Sequence, residues 1–181
     1  IRMKENNLRI KFQDTSSSSG FPTRDWELGA NQSSNGGKNL FYLLNVDTEE
    51  YPFIIEDGAG NNSIYVRDNG WVGFNTSTPA VTMQVTTGNS PALRLDQDSS
   101  SGFSAQTWDV AGNETNFFVR DVTSNGTLPF RIQTGAPNAS IYVANDGDVG
   151  FETTSPDGMF DIAHPTNINN HAVLVSATAN F

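Results

Sequence analysis

The sequence predicts an all-β protein built from two tandem β-rich modules of roughly eighty residues each. Three observations carry that expectation. Residues 63–79, SIYVRDNGWVGFNTSTP, return at 140–156 as SIYVANDGDVGFETTSP, an offset of 77 residues. Short apolar stretches alternate with polar residues at every second position, the period of a strand with one buried face. Gly, Asn, Ser, Thr and Asp abound while Lys and Arg together number only 10 of 181 residues, a composition that favours turns over helices.

The elements follow in order. After a lead-in over residues 1–6, the first module spans 7–87 and opens on Leu8, Ile10 and Phe12, which share one side of a strand. The serine tract Ser16–Ser19 reads as a loop, too short to separate domains, and Phe21 behind it is expected to pin it down. Next come an aromatic strand at Asp25-Trp26-Glu27-Leu28, with Trp26 placed in the core, and the most apolar run, Leu40 to Leu44, expected as a central strand. Phe53 and Ile55 mark another strand. A hairpin then runs from Ile64–Val66 to Val72–Phe74, with Asn69-Gly70 between them supplying the two positive φ angles of a tight turn. Pro79 ends that strand because it cannot donate to a ladder, and Met83 and Val85 alternate once more.

The second module, 88–164, repeats the series. Leu93-Arg94-Leu95 stands for Leu8-Arg9-Ile10, Ser99–Ser101 for the serine loop, Phe103 for Phe21 and Trp108 for Trp26, while Phe117-Phe118-Val119 forms the second central strand. Its hairpin turns at Asp146-Gly147 and ends at Pro156. The repeated hairpin signature comprises Gly70, Val72, Gly73, Phe74 and Pro79, matched by Gly147, Val149, Gly150, Phe151 and Pro156. Residues 165–181, with His171-Ala172-Val173-Leu174-Val175, read as the start of a third copy, so the polypeptide is expected to be part of something longer.

Charge and composition exclude several function classes. Twenty acids against 10 bases, a net charge of −10, provide no basic surface for a nucleic-acid backbone. No apolar run is long enough for a membrane-embedded helix. The absence of cysteine removes disulfides and thiolate metal sites together. No Gly-x-Ser-x-Gly elbow occurs, and the pairs Glu49-Glu50 and Asp96/Asp98 read as acidic loops rather than as the carboxylates of a glycosidase. The protein is therefore expected not to be an enzyme, with no cofactor. His164 and His171 near Asp161 are read as solvated, and Asn145-Asp146-Gly147-Asp148 as a turn lacking the spacing of a calcium loop, so no metal site is assigned. Trp71 stands where the second copy has Asp148, and a position open to either residue belongs to the wet side of its strand. Trp71 is thus the candidate ring for a ligand or subunit contact.

The segment PFRIQTGAPNASIYVANDGDVGFETTSP, 129–156, resembles repeats of phage tail-fibre proteins and related bacterial surface proteins. In those chains a commoner hairpin ends GNVGIGTTSP, and many close with a self-cleaving intramolecular chaperone of the tail-spike type. Here Phe74-Asn75 and Phe151-Glu152 stand where the commoner form has Ile-Gly, and no chaperone domain occurs by Phe181. The resemblance covers both modules. It implies an elongated, homotrimeric, fibre-like segment of a virion tail or a cell surface, presenting weak multivalent sites to a cell-surface polysaccharide or receptor. Two alternatives stand beside it: a monomeric carbohydrate-binding or glycan-processing β-sandwich module of a secreted protein, and a subunit of a cell-surface filament that polymerises head to tail.

Overall fold

A computed structural model of the chain describes residues 8–32 and 37–163. Among them there are fourteen strands and no helix. The chain divides into two compact units, the first ending at Thr86 and the second beginning at Thr87. Each contains a four-stranded antiparallel sheet followed by a three-stranded one.

In the first unit, β1 (Leu8–Phe12), β2 (Trp26–Gln32), β3 (Lys38–Asn45) and β4 (Glu50–Glu56) form a meander in the order β1-β2-β3-β4. The run Leu40–Leu44 lies in β3, an interior strand. Its apolar residues alternate between the two faces of the sheet, and both of its edges pair with neighbouring strands. The loop from β1 to β2 carries the serine tract and is organised by side chains that imitate turns. Asp14 accepts from the Ser16 amide at 2.8 Å, and Asp25 accepts from the Asp14 amide at 2.9 Å. Phe21 corrects the sequence expectation, since it is 68% exposed and pins nothing within its unit.

The three-stranded sheet consists of β5 (Tyr65–Val66), β6 (Val72–Phe74) and β7 (Met83–Val85). β5 and β6 pair as the expected antiparallel hairpin, whereas β7 returns parallel to β6, with Val72 opposite Met83 and Phe74 opposite Val85. The crossover passes through Pro79, whose side chain is almost fully buried and whose carbonyl accepts from Arg67 Nη1 at 3.3 Å. The turn differs from the one expected. Gly70 N–H donates to the Arg67 carbonyl at 2.9 Å, Arg67 N–H donates to the Trp71 carbonyl at 2.8 Å, and only Gly70 has a positive φ, of 83°. This is a three-residue loop in which an ordinary turn is followed by one left-handed glycine, so Asn69 keeps a right-handed backbone and caps the Trp71 amide instead.

The second unit has β8 (Ala92–Gln97), β9 (Gln106–Gly112), β10 (Asn116–Asp121) and β11 (Thr127–Gln133) in the order β11-β10-β9-β8. Phe117 to Val119 occupy the interior strand β10. β12 (Tyr142–Val143), β13 (Val149–Phe151) and β14 (Phe160–Ile162) follow, with β12–β13 antiparallel and β13–β14 parallel. Its hairpin loop has the same form: Gly147 donates to Ala144, Ala144 donates to Asp148, and Gly147 alone is left-handed, at φ 96°. Phe103, like Phe21, is 68% exposed.

All four sheets are single layers. Each substantial contact between elements joins neighbouring strands of one sheet, and among the described residues no sheet lies face to face on another within its unit. No helix of the described residues is long and apolar enough to cross a membrane.

Candidate functional site

Strand alternation and the observed register sort each four-stranded sheet into two faces. In the first unit Phe12 pairs with Trp26, Ile10 with Leu28, Leu28 with Leu43, and Leu43 with Phe53, so these side chains emerge on one side together with Phe41 and Ile55. This face is apolar but for Asn45 opposite Trp26, and it is uncovered: Ile10, Phe41, Phe53 and Ile55 are each 43% exposed, and Phe12 57%. The expectation that the alternation of β1 buries its apolar side is thus corrected, because among the described residues no second layer lies over it within the unit. Trp26 lies on the same face, half-buried by its strand neighbours rather than enclosed in a core.

The second unit presents the counterpart. Leu95 pairs with Trp108, Leu93 with Val110, Val110 with Val119, Val119 with Phe130 and Phe117 with Ile132. Leu93, Leu95, Phe117, Phe130 and Ile132 are exposed, and Trp108 is half-buried. The three-stranded sheets repeat the pattern, with Val66, Val72, Phe74, Met83 and Val85 on one side of the first, and Val143, Val149, Phe151, Phe160 and Ile162 on one side of the second. Taking about 200 Å² for a fully exposed large side chain, the five residues of each four-stranded face leave nearly half of that area in water. The result is roughly 450–500 Å² of contiguous apolar surface per face, at the upper end of what monomers tolerate.

The reverse face of each four-stranded sheet holds the only fully buried charges among the described residues. Asp109, in the middle of β9, is 1% exposed and accepts from Arg94 Nε at 2.7 Å and Nη2 at 3.0 Å, and from Arg120 Nε at 3.1 Å and Nη2 at 2.6 Å. The register puts Arg94 on β8 and Arg120 on β10 directly opposite it. These hydrogen bonds, Arg94 first, hold the Asp109 carboxyl down at about 2 against the burial that would raise it. Arg120 also lies 5.7 Å above the buried ring of Phe118.

At the matching place in the first unit stands Glu27, 2% exposed, whose Oε1 accepts from the Tyr42 hydroxyl at 2.9 Å. Its cations are more distant, Arg9 Nε at 3.5 Å from Oε1 and Lys11 Nζ at 3.9 Å from Oε2. Burial first, then the bond to Glu27, pushes the Tyr42 hydroxyl up to about 12. The Tyr42 ring occupies the space over Gly29, where any Cβ would overlap it, and meets Tyr51 edge-on with ring centres 5.3 Å apart. Arg9, Lys11, Glu27, Tyr42, Leu44 and Tyr51 line an open cleft of about 440 Å³ on this face.

The hairpin signature residues fall as follows. Val72 and Phe74 belong to the apolar side of their sheet, as do Val149 and Phe151, whereas Gly73 and Gly150 are buried on the other. A Cβ on Gly150 would come within 2.6 Å of the Thr153 carbonyl oxygen, and one on Gly73 closer still to that of Thr76, so both positions require glycine. Asn75 and Glu152, at φ 59° and 60°, adopt the left-handed conformation where the commoner hairpin has glycine. Trp71 is half-buried beside the turn, and Pro156, less enclosed than Pro79, is intermediate. His164, His171 and residues 1–6 and 165–181 lie outside the described residues. Among those described, no three His, Asp or Glu side chains are placed to hold a metal ion.

Sequence reasoning named the apolar residues of the uncovered faces but missed the buried carboxylates. The signal was present: Glu27 and Asp109 each follow the matched tryptophan, and Arg9 and Arg94 each sit between matched apolar residues. A charge held on an interior strand at the matching place in both copies marks a buried, partnered carboxylate. No family model matches the chain, and no curated protein matches it.

Proposed function

We propose that the chain is a structural and adhesive fibre segment of the tail-fibre kind, in which three identical copies cover one another's apolar faces and display their polar faces outward. The observation that carries this reading is the uncovered apolar side found on every sheet of both units. At about 25 cal/mol per Å², each four-stranded face offers roughly 11–12 kcal/mol of gross stabilisation if covered. Identical copies are the natural cover, because the faces are predominantly apolar and self-complementary in chemistry. A chain at −10 makes a trimer of three times that charge, which favours solubility and opposes pairing between the exposed edges of different assemblies. In the same reading the segment belongs to a virion tail or a cell surface, performs no catalysis, and binds a receptor or polysaccharide through repeated weak contacts. The sandwich alternative needs a second sheet layer within a unit, which the described residues of neither unit supply.

Sedimentation equilibrium of the purified chain tests the assembly. A mass near three times 19.6 kDa supports it, a single 19.6 kDa species refutes it, and an open-ended distribution of masses points to the head-to-tail filament. Phe41→Asp and Phe117→Asp, on the apolar faces of the two units, should each lower the association constant by at least 100-fold.

A further inference from the structure

We propose that the cleft over Glu27 is a binding site for a neutral sugar residue, with Glu27 Oε2 as its central hydrogen-bond acceptor. The inference deepens the adhesive half of the function above by naming a ligand class and a place, and it requires no particular number of copies.

The starting point is an unsatisfied group. Among the described residues Glu27 Oε2 accepts no hydrogen bond, and Lys11 Nζ stands 3.9 Å from it, although the side chain is 2% exposed. A buried carboxylate oxygen without a donor is costly, and native structures rarely leave one so. The second unit shows how the same position is satisfied internally: Asp109 receives four hydrogen bonds from two guanidinium groups. Two register positions differ: on the edge strand Lys11 stands opposite Glu27 where Arg94 stands opposite Asp109, and the interior strand differs more sharply. Arg120 stands opposite Asp109, whereas Leu44 stands opposite Glu27. Leucine neither donates nor reaches across the face, and the space beside it is the 440 Å³ cleft. That volume lies within the range of small-ligand sites.

The chemistry of the walls selects the ligand. Arg9 and Lys11 are donors without acceptor capacity, Glu27 Oε2 is an acceptor, and the Tyr51 hydroxyl, which accepts from Gln32 Nε2 at 2.7 Å, keeps its own proton to give. A metal cation would be repelled by Arg9 and Lys11. A phosphate or carboxylate would be repelled by the buried Glu27. With Arg9 and Lys11 balanced by Glu27 and Glu49, the walls carry no net charge. A ring bearing several hydroxyl groups meets all the requirements at once, since each hydroxyl can give a proton to Glu27 and accept one from Arg9 or Lys11.

Saturation-transfer NMR on the full chain tests the site, with glucose, galactose, N-acetylglucosamine and N-acetylgalactosamine as neutral probes and methyl glucuronide as an acidic one. The expected result is transfer to at least one neutral sugar. Leu44→Arg, which copies the second unit's arrangement and fills the cleft, should weaken that binding at least tenfold with the denaturation midpoint retained. Lys11→Ala, whose side chain is largely exposed, should weaken it several-fold and supplies the test if Leu44→Arg does not fold. The proposal is overturned by absence of transfer to every neutral sugar, by equal transfer in both variants, or by preference for the glucuronide. A fall in sedimenting mass in Leu44→Arg also overturns it, because the cleft would then be filled by a second copy. Sugar binding by a chain that sediments as a single copy would refute the trimeric fibre while leaving this site standing.

Discussion

Replacing Asp109 by asparagine keeps the shape of the buried side chain while removing its charge, and so isolates what the double arginine clamp contributes. In the native unit the carboxylate accepts four hydrogen bonds at 2.6–3.1 Å. The amide that replaces it retains one accepting oxygen and turns a donor toward guanidinium groups that have only donors to offer. Breaking a buried ion pair by altering one partner costs about 3–5 kcal/mol. Arg94 and Arg120 reach water, at 55% and 35% side-chain exposure, and recover part of their solvation. We therefore expect a loss of about 2–4 kcal/mol at pH 7. The pH dependence is the sharper part of the expectation. The carboxyl is held at about 2 in the folded unit against 3.8 for an unperturbed aspartate. Its contribution is complete above pH 4 and disappears as the pH falls through 2. Urea denaturation of the native and Asp109→Asn chains, followed at pH 7, 4, 3 and 2, should show a gap that is constant from 7 to 4 and narrows below that. A gap under 1 kcal/mol at pH 7, or one equally wide at pH 2, would refute the reasoning that the charge itself holds these three strands together.

In the first unit, Tyr42→Phe removes the hydrogen bond that the Tyr42 hydroxyl donates to Glu27 and should cost about 1.5–3 kcal/mol in urea denaturation; adding Leu44→Arg should recover most of it by supplying new donors. Gly150→Ala forces a Cβ to within 2.6 Å of the Thr153 oxygen and should destabilise the small sheet of the second unit by at least about 3 kcal/mol, seen as lost amide-exchange protection at Phe151 and Glu152. Glu152→Gly relieves a left-handed backbone at φ 60° and should raise the denaturation midpoint by an amount equivalent to about 0.5 kcal/mol, the strain released exceeding the added freedom of the unfolded chain.

Much of the local structure was legible because strand alternation, proline and glycine act over a few residues. Val72, Gly73 and Phe74 could be read as a strand next to a glycine-closed turn, and Leu40 to Leu44 as an interior strand, without any knowledge of their neighbours. The details of the turn were less accessible, since Asn69-Gly70 and Asp146-Gly147 suit both a two-residue loop and the three-residue loop adopted here; the choice depends on which strand residues pair across it. The parallel return of β7 and β14 was hidden for the same reason, as Met83 and Phe160 alternate alike in either direction.

The amino-acid order by itself determined the class of structure, the positions of most strands and the glycines at their turns, because each follows from sterics and polarity within a short window. Only the tertiary structure decided which way the apolar residues face and what lies over them. Alternation says that Ile10, Phe12, Leu93 and Leu95 share sides with their strand partners, but whether a second layer covers those sides depends on contacts between residues far apart in the chain. The same holds for the carboxylates: Asp109 is held by Arg94 and Arg120 only because pairing of β8, β9 and β10 brings three distant positions into one row, and the matching row in the first unit leaves Glu27 beside a leucine and an open cleft.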